Sequence, residues 1–595
     1  MIKSKYSDQL MGWLVELNYT HCFFVGGGNV MHLLESARTQ FNCIPVVHEV
    51  AAGIAAEYFN ATNQEGKKAF ALVTAGPGVT NIITALGAAW LESRELLVIA
   101  GQAKTTNLSR GTVRQIGHQE IDGKSLAAPF SKQSILLDKQ ILKNEFVNLV
   151  NESGIDRKGP VFIEICIDIT AAPIELIKTE SSNPSKKIVS KNYELELKQI
   201  KDLILISKRP VFLLGGGLDR LVAWDLTEKL KKIGIPIACT WNGIDRFSFE
   251  EEISIGRPNT YGMRSANILI QQSDLVLAIG TRLGLQQTGF AWEEFVPNGK
   301  IIQIDIDKAE LEKGHPRIFM GVEADANILF PEIVGSILQE TLEIQDWREH
   351  IKYVKEQIKL KDPANMAGEN FIEAYDFVQA LSAELKNDDV VIPCSSGGAY
   401  TTMMSAFVNK PNQIIVTNKG LASMGYGLSG AIGAAISNPA RRCVLVEGDG
   451  GFAQNLQELG TVKVQDLNLK IFIFSNDGYA SIRTMQKAYF NGNYIGCDNS
   501  TGVGLPDWET IFAAYGIPVT TLNRTEMLNQ PKITELMNAK GPAGFIVPID
   551  PEQTYLPKIT SKLNPDGSMS SNPLHMMHPP LEKKIQEVVL KYIVN

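Results

Sequence analysis

Asp449 and Asn476 are the side chains from which a chemical reading can start. In VEGDGGFAQNLQELGTVKVQDLNLKIFIFSND (Val446–Asp477), an apolar run from Cys443 to Val446 breaks at Glu447-Gly448-Asp449-Gly450-Gly451. After a helix-like segment, a second run, Ile471 to Phe474, ends in Ser475-Asn476-Asp477. Two buried strands thus each release a small oxygen-bearing side chain at the carboxyl edge of a sheet, 476 − 449 = 27 positions apart. Such hard oxygens suit Mg²⁺, which takes few protein ligands and completes its octahedron with phosphate oxygens and water. Gly448, Gly450 and Gly451 let backbone approach a phosphate, and a helix expected from near Gln454 would turn its positive end towards the anion. The residues favour a Mg²⁺-bridged diphosphate; two unrelated loops with capping Asp and Asn are the alternative.

The elements that must position these groups recur along the chain. Short apolar, β-branched runs alternate with helical stretches, which predicts an α/β protein of three doubly wound parallel-sheet domains. HCFFVGGG, CIPVVHEV, KAFALVTAGPG, LLVIAGQ and GPVFIEICIDI form a first block, expected as a domain over 1–178, and the polar stretch Thr179–Ser190 reads as a linker. RPVFLLGGG, SDLVLAIGTRLG and KIIQIDID belong to a second, 191–345. DVVIPCSSGG, QIIVTNKG, RRCVLVEGDGG and LKIFIFSND belong to a third, 366–550. The Pro-, Ser-, Met- and His-rich tail, 551–595, is expected to cover something, an active site included, rather than to form core. Ligands of open parallel sheets sit at the carboxyl ends of strands, where Gly26, Gly27 and Gly28 lie, although glycine also ends strands for steric reasons alone.

Bulk properties exclude several classes. A chain of 595 residues exceeds a single core. Its 44% hydrophobic and 21% charged residues are those of a soluble globular protein, and a net charge of −8 argues against a nucleic-acid partner. No apolar run reaches 18 residues, Met1–Thr20 has no apolar signal core, and seven Cys without CxxC or CxxxC spacing fit reduced thiols. A cytoplasmic protein without a membrane partner is expected.

Gly-Asp-Gly followed by Asn after the next strand resembles the motif of thiamine-diphosphate enzymes, and the likeness spans approximately residues 5–550. It is nearest to the acetolactate synthase/pyruvate oxidase branch, with pyrimidine-binding, central and diphosphate-binding domains in that order. The resemblance implies a third Mg²⁺ ligand beside Asp449 and Asn476, the carbonyl of Gly478, with Tyr479, Ala480 and Ser481 around the cofactor. PVVHEVAAGIAAEYF implies that Glu49 is the catalytic acid that bonds N1′ of the pyrimidine, a role served by an apolar pocket that raises its pKa. Taken alone, Glu49 reads as an ordinary helix N-terminal acid. NKGLASMGYGLSGAIGAA places Ala422 at the cofactor and Met424 between its two rings, a core Met being the alternative. CSSGGAY supplies Ser395, Ser396, Gly397 and Gly398 to the diphosphate; the synthases' Gln-His pair is replaced here by Gly398-Ala399. In the first domain the likeness carries Gly26–Gly28, Thr74, Pro77 and Asn81 to the cofactor. HQE makes Gln119 an active-site donor and His118 a titratable neighbour, or else a surface-loop His.

The middle block resembles the FAD-binding domain of the synthases. Gly215, Gly216 and Gly217 would admit a diphosphate, and Thr240, Trp241, Asn242, Gly262, Gly280, Arg282, Asp305, Ile306, Asp325 and Ala326 match its strand ends, with Asp307 an alternative to Asp305 as acceptor. Arg157 matches the residue that touches the flavin. FAD in a structural role is expected; related enzymes hold ADP there, or nothing.

The reaction implied is decarboxylation of a 2-oxo acid, pyruvate, and transfer of the two-carbon unit to a carbonyl acceptor, in a homo-oligomer whose subunits share active sites. The synthases clamp a second oxo acid with an Asp-Arg pair where this chain has Leu285-Gln286, and place a Trp where it has Met485. Loss of a bidentate clamp, with Tyr479, Ser481 and Arg483 as a polar set, points to a nucleotide-linked keto-deoxysugar acceptor, as in synthase-like enzymes of surface-polysaccharide synthesis. Acetolactate synthase activity, another thiamine-diphosphate lyase or oxidase, and a non-catalytic binding protein of the same fold are the alternatives.

Overall fold

The computed structural model describes residues 5–174, 192–393, 396–564 and 566–593. The linker expected at Thr179–Ser190 lies outside them, as does Ser395 of the diphosphate loop.

Three six-stranded parallel sheets carry the chain. Across the first run Asn42–Pro45, Tyr19–Phe24, Lys68–Val73, Leu96–Gln102, Pro160–Cys166 and Gln133–Leu137. Across the third run Ile414–Ile415, Val390–Pro393, Cys443–Gly448, Leu469–Ser475, Ala543–Pro548 and Val519–Thr521. Numbered along the chain, both have the order 2-1-3-4-6-5, so the two outer units are one topology used twice. The middle sheet runs Ser254–Gly256, Ile237–Cys239, Pro210–Leu214, Leu275–Ile279, Lys300–Asp305 and Met320–Glu323, the 3-2-1-4-5-6 order of dinucleotide-binding folds. Leu96–Gln102, Pro160–Cys166 and Leu275–Ile279 are buried throughout because helices cover both faces, which is why they read as unbroken apolar runs.

The outer units meet through two helices, Glu49–Thr62 and Tyr426–Ser437. Small residues let them close up: a Cβ on Gly433 would enter the Ala55 carbonyl, and one on Gly430 would meet the Tyr58 ring at 2.8 Å. Within this contact Glu57 is fully buried. Arg94 Nη1 pairs with Glu57 Oε1 at 2.8 Å, Tyr426 donates its hydroxyl hydrogen to Oε2, and Arg94 Nη2 donates to the Thr417 carbonyl. Burial pushes the Glu57 carboxyl up, opposed by the charge of Arg94.

The tail does more than cover. Leu574 and Val589 are fully buried in the middle unit's core, Ile559 N–H donates to the Thr260 carbonyl at 2.8 Å, and Ser561–Leu563 pairs antiparallel with Met569–Ser571. Isolated apolar residues without periodicity gave no sign of this in the sequence. No helix among the described residues is long and apolar enough to cross a membrane.

Removing one member of a buried ion pair strands the other, at about 3–5 kcal/mol. Arg94→Met should therefore lower the urea midpoint clearly, and Tyr426→Phe less, by about 1–2 kcal/mol for one hydrogen bond. A wild-type midpoint for Arg94→Met would show that the network does not hold the outer units together.

Candidate active site

Asp449 and Asn476 end neighbouring strands, Cys443–Gly448 and Leu469–Ser475, whose register sets Gly448 opposite Phe474. Asp449 is only 1% exposed. Its Oδ2 accepts from the N–H groups of Asn476 (2.8 Å) and Gly478 (3.2 Å), and its Oδ1 from that of Gly450 (2.7 Å). Burial pushes its pKa up to about 6 against the pull of those three donors. The Asn476 amide oxygen lies 3.2 Å from Asp449 Oδ1 and 3.1 Å from the Gly478 carbonyl oxygen. Three acceptors without a donor repel unless the amide turns its nitrogen inward or a cation stands among them. An octahedral ion with ligands at about 2.0–2.1 Å spaces adjacent oxygens by about 2.9 Å, so this oxygen set fits Mg²⁺. Among the described residues no three His, Cys, Asp or Glu side chains converge on a metal; this site has one carboxylate and otherwise neutral oxygens.

The helix expected from near Gln454 begins instead at Asp449 and stops at Phe452, followed by a 3-10 turn, Leu456–Glu458, and a helix, Leu459–Val464. Gly450 and Gly451 turn directly into helix because Asp449 and its flanking N–H groups organise the bend, and the helix that starts at Asp449 is only one turn long.

The diphosphate-loop residues gather on the same edge. A Cβ on Gly448 would find open space, and one on Gly397 (φ +77°) would have only Ser481 Oγ, at 3.9 Å, within reach. Gly450 and Gly398 are instead packed, against the rings of Tyr479 and Tyr555. Tyr555, a half-buried tail residue whose buried hydroxyl stands beside Asn476, was not foreseen. Ser396 precedes the helix Gly397–Ala406, and Ala480 opens the helix Ala480–Tyr489. Arg483 departs from its expected place in a polar acceptor set. Its guanidinium donates to the Pro551 and Asp477 carbonyls and pairs with Asp498 at 3.4 Å, because a buried cation is drawn to the nearest acceptors.

A second group forms on the first sheet. Glu49, nearly buried at the start of its helix, accepts from Asn81 Nδ2 at 2.9 Å. Glu458, from the third unit and unnoticed in the sequence, accepts from the N–H groups of Val47 (3.1 Å) and His48 (3.0 Å) and pins the turn before Glu49. Gly27 packs on Thr74, whose buried Oγ1 has no hydrogen-bond partner among the described residues, whereas Gly26 and Gly28 face open space. Pro77 starts the helix Pro77–Leu91 after Gly76 (φ +64°), where a Cβ would meet the Gln119 carbonyl at 2.7 Å. Gln119 is half-buried with φ +60°, and His118 is exposed. Their loop is braced by Glu120, which accepts from Ile116 N–H at 2.8 Å and Gly117 N–H at 3.0 Å. No hydrogen bond or ion pair among the described residues joins Glu49 to Asp449, Asn476 or Gly478 within one chain. Met424 is 37% exposed just before the helix Tyr426–Ser437, after Ala422 (φ +53°), so it is not a core methionine.

A cleft of about 2040 Å³ opens where the three units meet. Gly216, Gly217, Thr240, Trp241, Asn242, Gly280, Arg282, Asp305, Ile306, Asp325 and Ala326 line it, with Arg157 on the first unit's wall. Gly215 and Gly262 do not line it; a Cβ on either would enter backbone, at Gly280 or at Arg257 and Asn259, so Gly215 serves the close approach of two strand ends and Gly262 a tight turn. Arg157 is occupied by Glu310 at 3.2 Å and by Asp307, which also caps the helix Lys308–Glu312.

Three family models match in the order of the sheets: the N-terminal TPP binding domain of thiamine pyrophosphate enzymes at 4–126, their central domain at 197–333, and their C-terminal TPP binding domain at 396–547. The chain belongs to the thiamine pyrophosphate enzymes. Among relatives, acetolactate synthase isozyme 1 large subunit of Escherichia coli (strain K12) is 29% identical over 544 residues, 90% of this chain and 92% of that protein. Acetolactate synthase 1, chloroplastic, of Nicotiana tabacum is 29% identical over 581 residues, covering 94% and 83%. The acetolactate synthase large subunit of Cyanidium caldarium is 28% identical, covering 84% of each. This is accordingly a thiamine-diphosphate-dependent enzyme of acetolactate-synthase-like type. The names of these relatives match the synthase expectation and do not support a sugar acceptor.

For such a pyrophosphate enzyme, Asp449 should dominate anchoring of the metal. With saturating Mg²⁺, Asp449→Ala should weaken thiamine-diphosphate binding, read by tryptophan quenching, by at least about 100-fold, beyond the effect of losing an outer-shell partner. Unchanged affinity would remove Asp449 from the ligand set.

Proposed function

We propose that this enzyme decarboxylates pyruvate and transfers the two-carbon unit to a carbonyl acceptor. The oxygen triad of Asp449, Asn476 and Gly478 carries this reading, because it suits the Mg²⁺ of a bound diphosphate. Bound thiamine diphosphate supplies the carbon nucleophile and the electron sink that loss of CO₂ requires. In this reading the 366–550 unit holds the diphosphate, with Ser396, Gly397 and Gly448 leaving room for it, and the 1–178 unit holds the pyrimidine. Glu49, oriented by Asn81, would present its carboxyl to N1′ of the pyrimidine. Thr74 and Gln119 would offer polar contacts at that wall, and Met424 would stand against the cofactor's rings. Sites completed across a homodimer, the smallest closed assembly, are part of this reading. The central cleft takes a nucleotide, FAD in a structural role, between its glycines and Asp305 or Asp325.

Two acceptors compete. Pyruvate, giving acetolactate, is favoured by the names of the relatives. A nucleotide-linked keto-deoxysugar is favoured by Leu285-Gln286 and Met485, which offer no clamp for a second carboxylate; Leu285 and Met485 are 39% and 55% exposed.

Glu49→Gln should abolish pyruvate decarboxylation while thiamine diphosphate still binds, since Gln can bond N1′ but is a far weaker acid. Mixed in equal amounts with Asp449→Ala subunits, it should recover about a quarter of the wild-type sites by random pairing in a two-fold dimer. Normal turnover by the single variant would refute the role of Glu49, and no rescue after proven subunit exchange would refute shared sites.

Mass spectra of products from pyruvate, alone and with candidate nucleotide keto-sugars, decide the acceptor. If lost charge pairing sets the preference, Leu285→Asp with Gln286→Arg should raise acetohydroxy-acid formation. Acetolactate made at the same rate with or without the sugar, and no branched sugar, would leave the synthase reading standing.

A further inference from the structure

Lys419 belongs to the third unit, yet its side chain enters the central cleft. It stands one residue beyond Asn418 in the NKGLASM stretch, five positions before Met424. Glu92 of the first unit accepts from the N–H groups of Lys419 (2.6 Å) and Gly420, and its other oxygen accepts from Asn242 Nδ2 of the middle unit. One carboxylate therefore gathers all three units at this wall. It is spent on neutral N–H donors, and no hydrogen bond or ion pair to the Lys419 ammonium occurs among the described residues. The ammonium lies 4.7 Å over the Trp241 ring. Burial, only partly offset by the charge of Glu92 and reinforced by Arg282, holds the amine down at about 8.

Arg282, at the end of the strand Leu275–Ile279, lines the same cleft. Its guanidinium likewise makes no hydrogen bond or ion pair among the described residues; only its carbonyl is used, by Lys313. The other cleft arginines differ: Arg94, Arg157, Arg220 and Arg246 all face carboxylates. Two cations from different units, neither hydrogen-bonded to a protein anion through its side chain among the described residues, line one recess. Like charges held close in a partly buried wall are unfavourable unless an anion completes them.

We propose that Lys419 is a nucleotide-binding residue, whose ammonium beside Arg282 takes the negatively charged or electron-rich edge of the nucleotide in the central cleft. This rests on the reading of the cleft as a nucleotide site and adds that the nucleotide bridges the middle and third units. Two parts of such a ligand offer the required chemistry, the diphosphate and the N1–C2 carbonyl edge of a flavin ring. An aromatic floor, Trp241, under the cation suits either.

The test uses full-length, nucleotide-free protein titrated with FAD (fluorescence) and with ADP (calorimetry). Lys419→Met should weaken FAD binding about ten- to a hundred-fold, the scale of one charge-assisted contact. Lys419→Arg should restore it to within a few-fold. Equal losses for ADP and FAD assign the contact to the diphosphate; a loss for FAD alone assigns it to the ring. The rise in unfolding midpoint that nucleotide gives the wild type should shrink in Lys419→Met, while the ligand-free midpoint stays unchanged. Should the Met variant unfold early, Lys419→Gln, which keeps polarity without the charge, serves instead. Unchanged FAD and ADP affinity in a folded variant overturns the role of Lys419 and leaves the cleft a nucleotide site. A wild type that binds neither overturns both.

Discussion

The contact between the helices Glu49–Thr62 and Tyr426–Ser437 is the constraint on which the site depends. One helix begins with the candidate acid; the other follows directly on Met424. Gly430, Gly433 and the alanines opposite remove the side-chain volume that would hold them apart, and Glu57, Arg94 and Tyr426 fix their register with charge in a dry interior. A buried ion pair adds little net stability over apolar packing, but it penalises every arrangement in which its partners are separated. Here that penalty falls on any sliding of one unit over the other. Glu458 works alongside it by tying down the turn before Glu49. The position of the acid is thus set largely by residues of the opposite unit.

What could be read from the sequence divides along these lines. The strands and the three-sheet architecture were legible because helices cover both faces of each sheet, leaving unbroken apolar runs that end in Gly or a polar residue. Asp449 and Asn476 were legible because adjacent strand ends bring short-range motifs together. Glu92, Lys419, Glu458 and Tyr555 were not. Their partners lie far along the chain, 411 positions for Glu458 to Val47 and 327 for Glu92 to Lys419, and no local periodicity encodes such a meeting. The misplaced helix start has the same origin: Gly450 and Gly451 disfavour helix in isolation, and only the N–H groups gathered by Asp449 make the turn. Arg483 had the right composition for a ligand contact, but sequence cannot show that a buried guanidinium will satisfy itself on nearby carbonyls.

The two ends of the site are built to different tolerances, and this bears on what each can select. At the metal end, a carboxylate 1% exposed is held by three N–H groups, and the Asn476 side-chain amide and the Gly478 carbonyl stand beside it. Burying a carboxylate is costly, and Asp449 is pushed up towards neutrality in consequence. A divalent ion reverses that balance, so the fold stores a preference for a cation there. Beyond Asn476 the character changes. The helix Ala480–Tyr489 leaves Ile482, Met485 and Tyr489 exposed at 43%, 55% and 66%, three apolar side chains on one face at i, i+3 and i+7. Exposed apolar stripes mark surfaces that meet a ligand or a partner. A wall of this kind packs against bulk and shape but offers a carboxylate nothing to pair with. Cofactor binding is accordingly governed by charge and geometry at the metal end, whereas the exposed apolar face offers contacts of bulk and shape that single substitutions can redraw without disturbing that end.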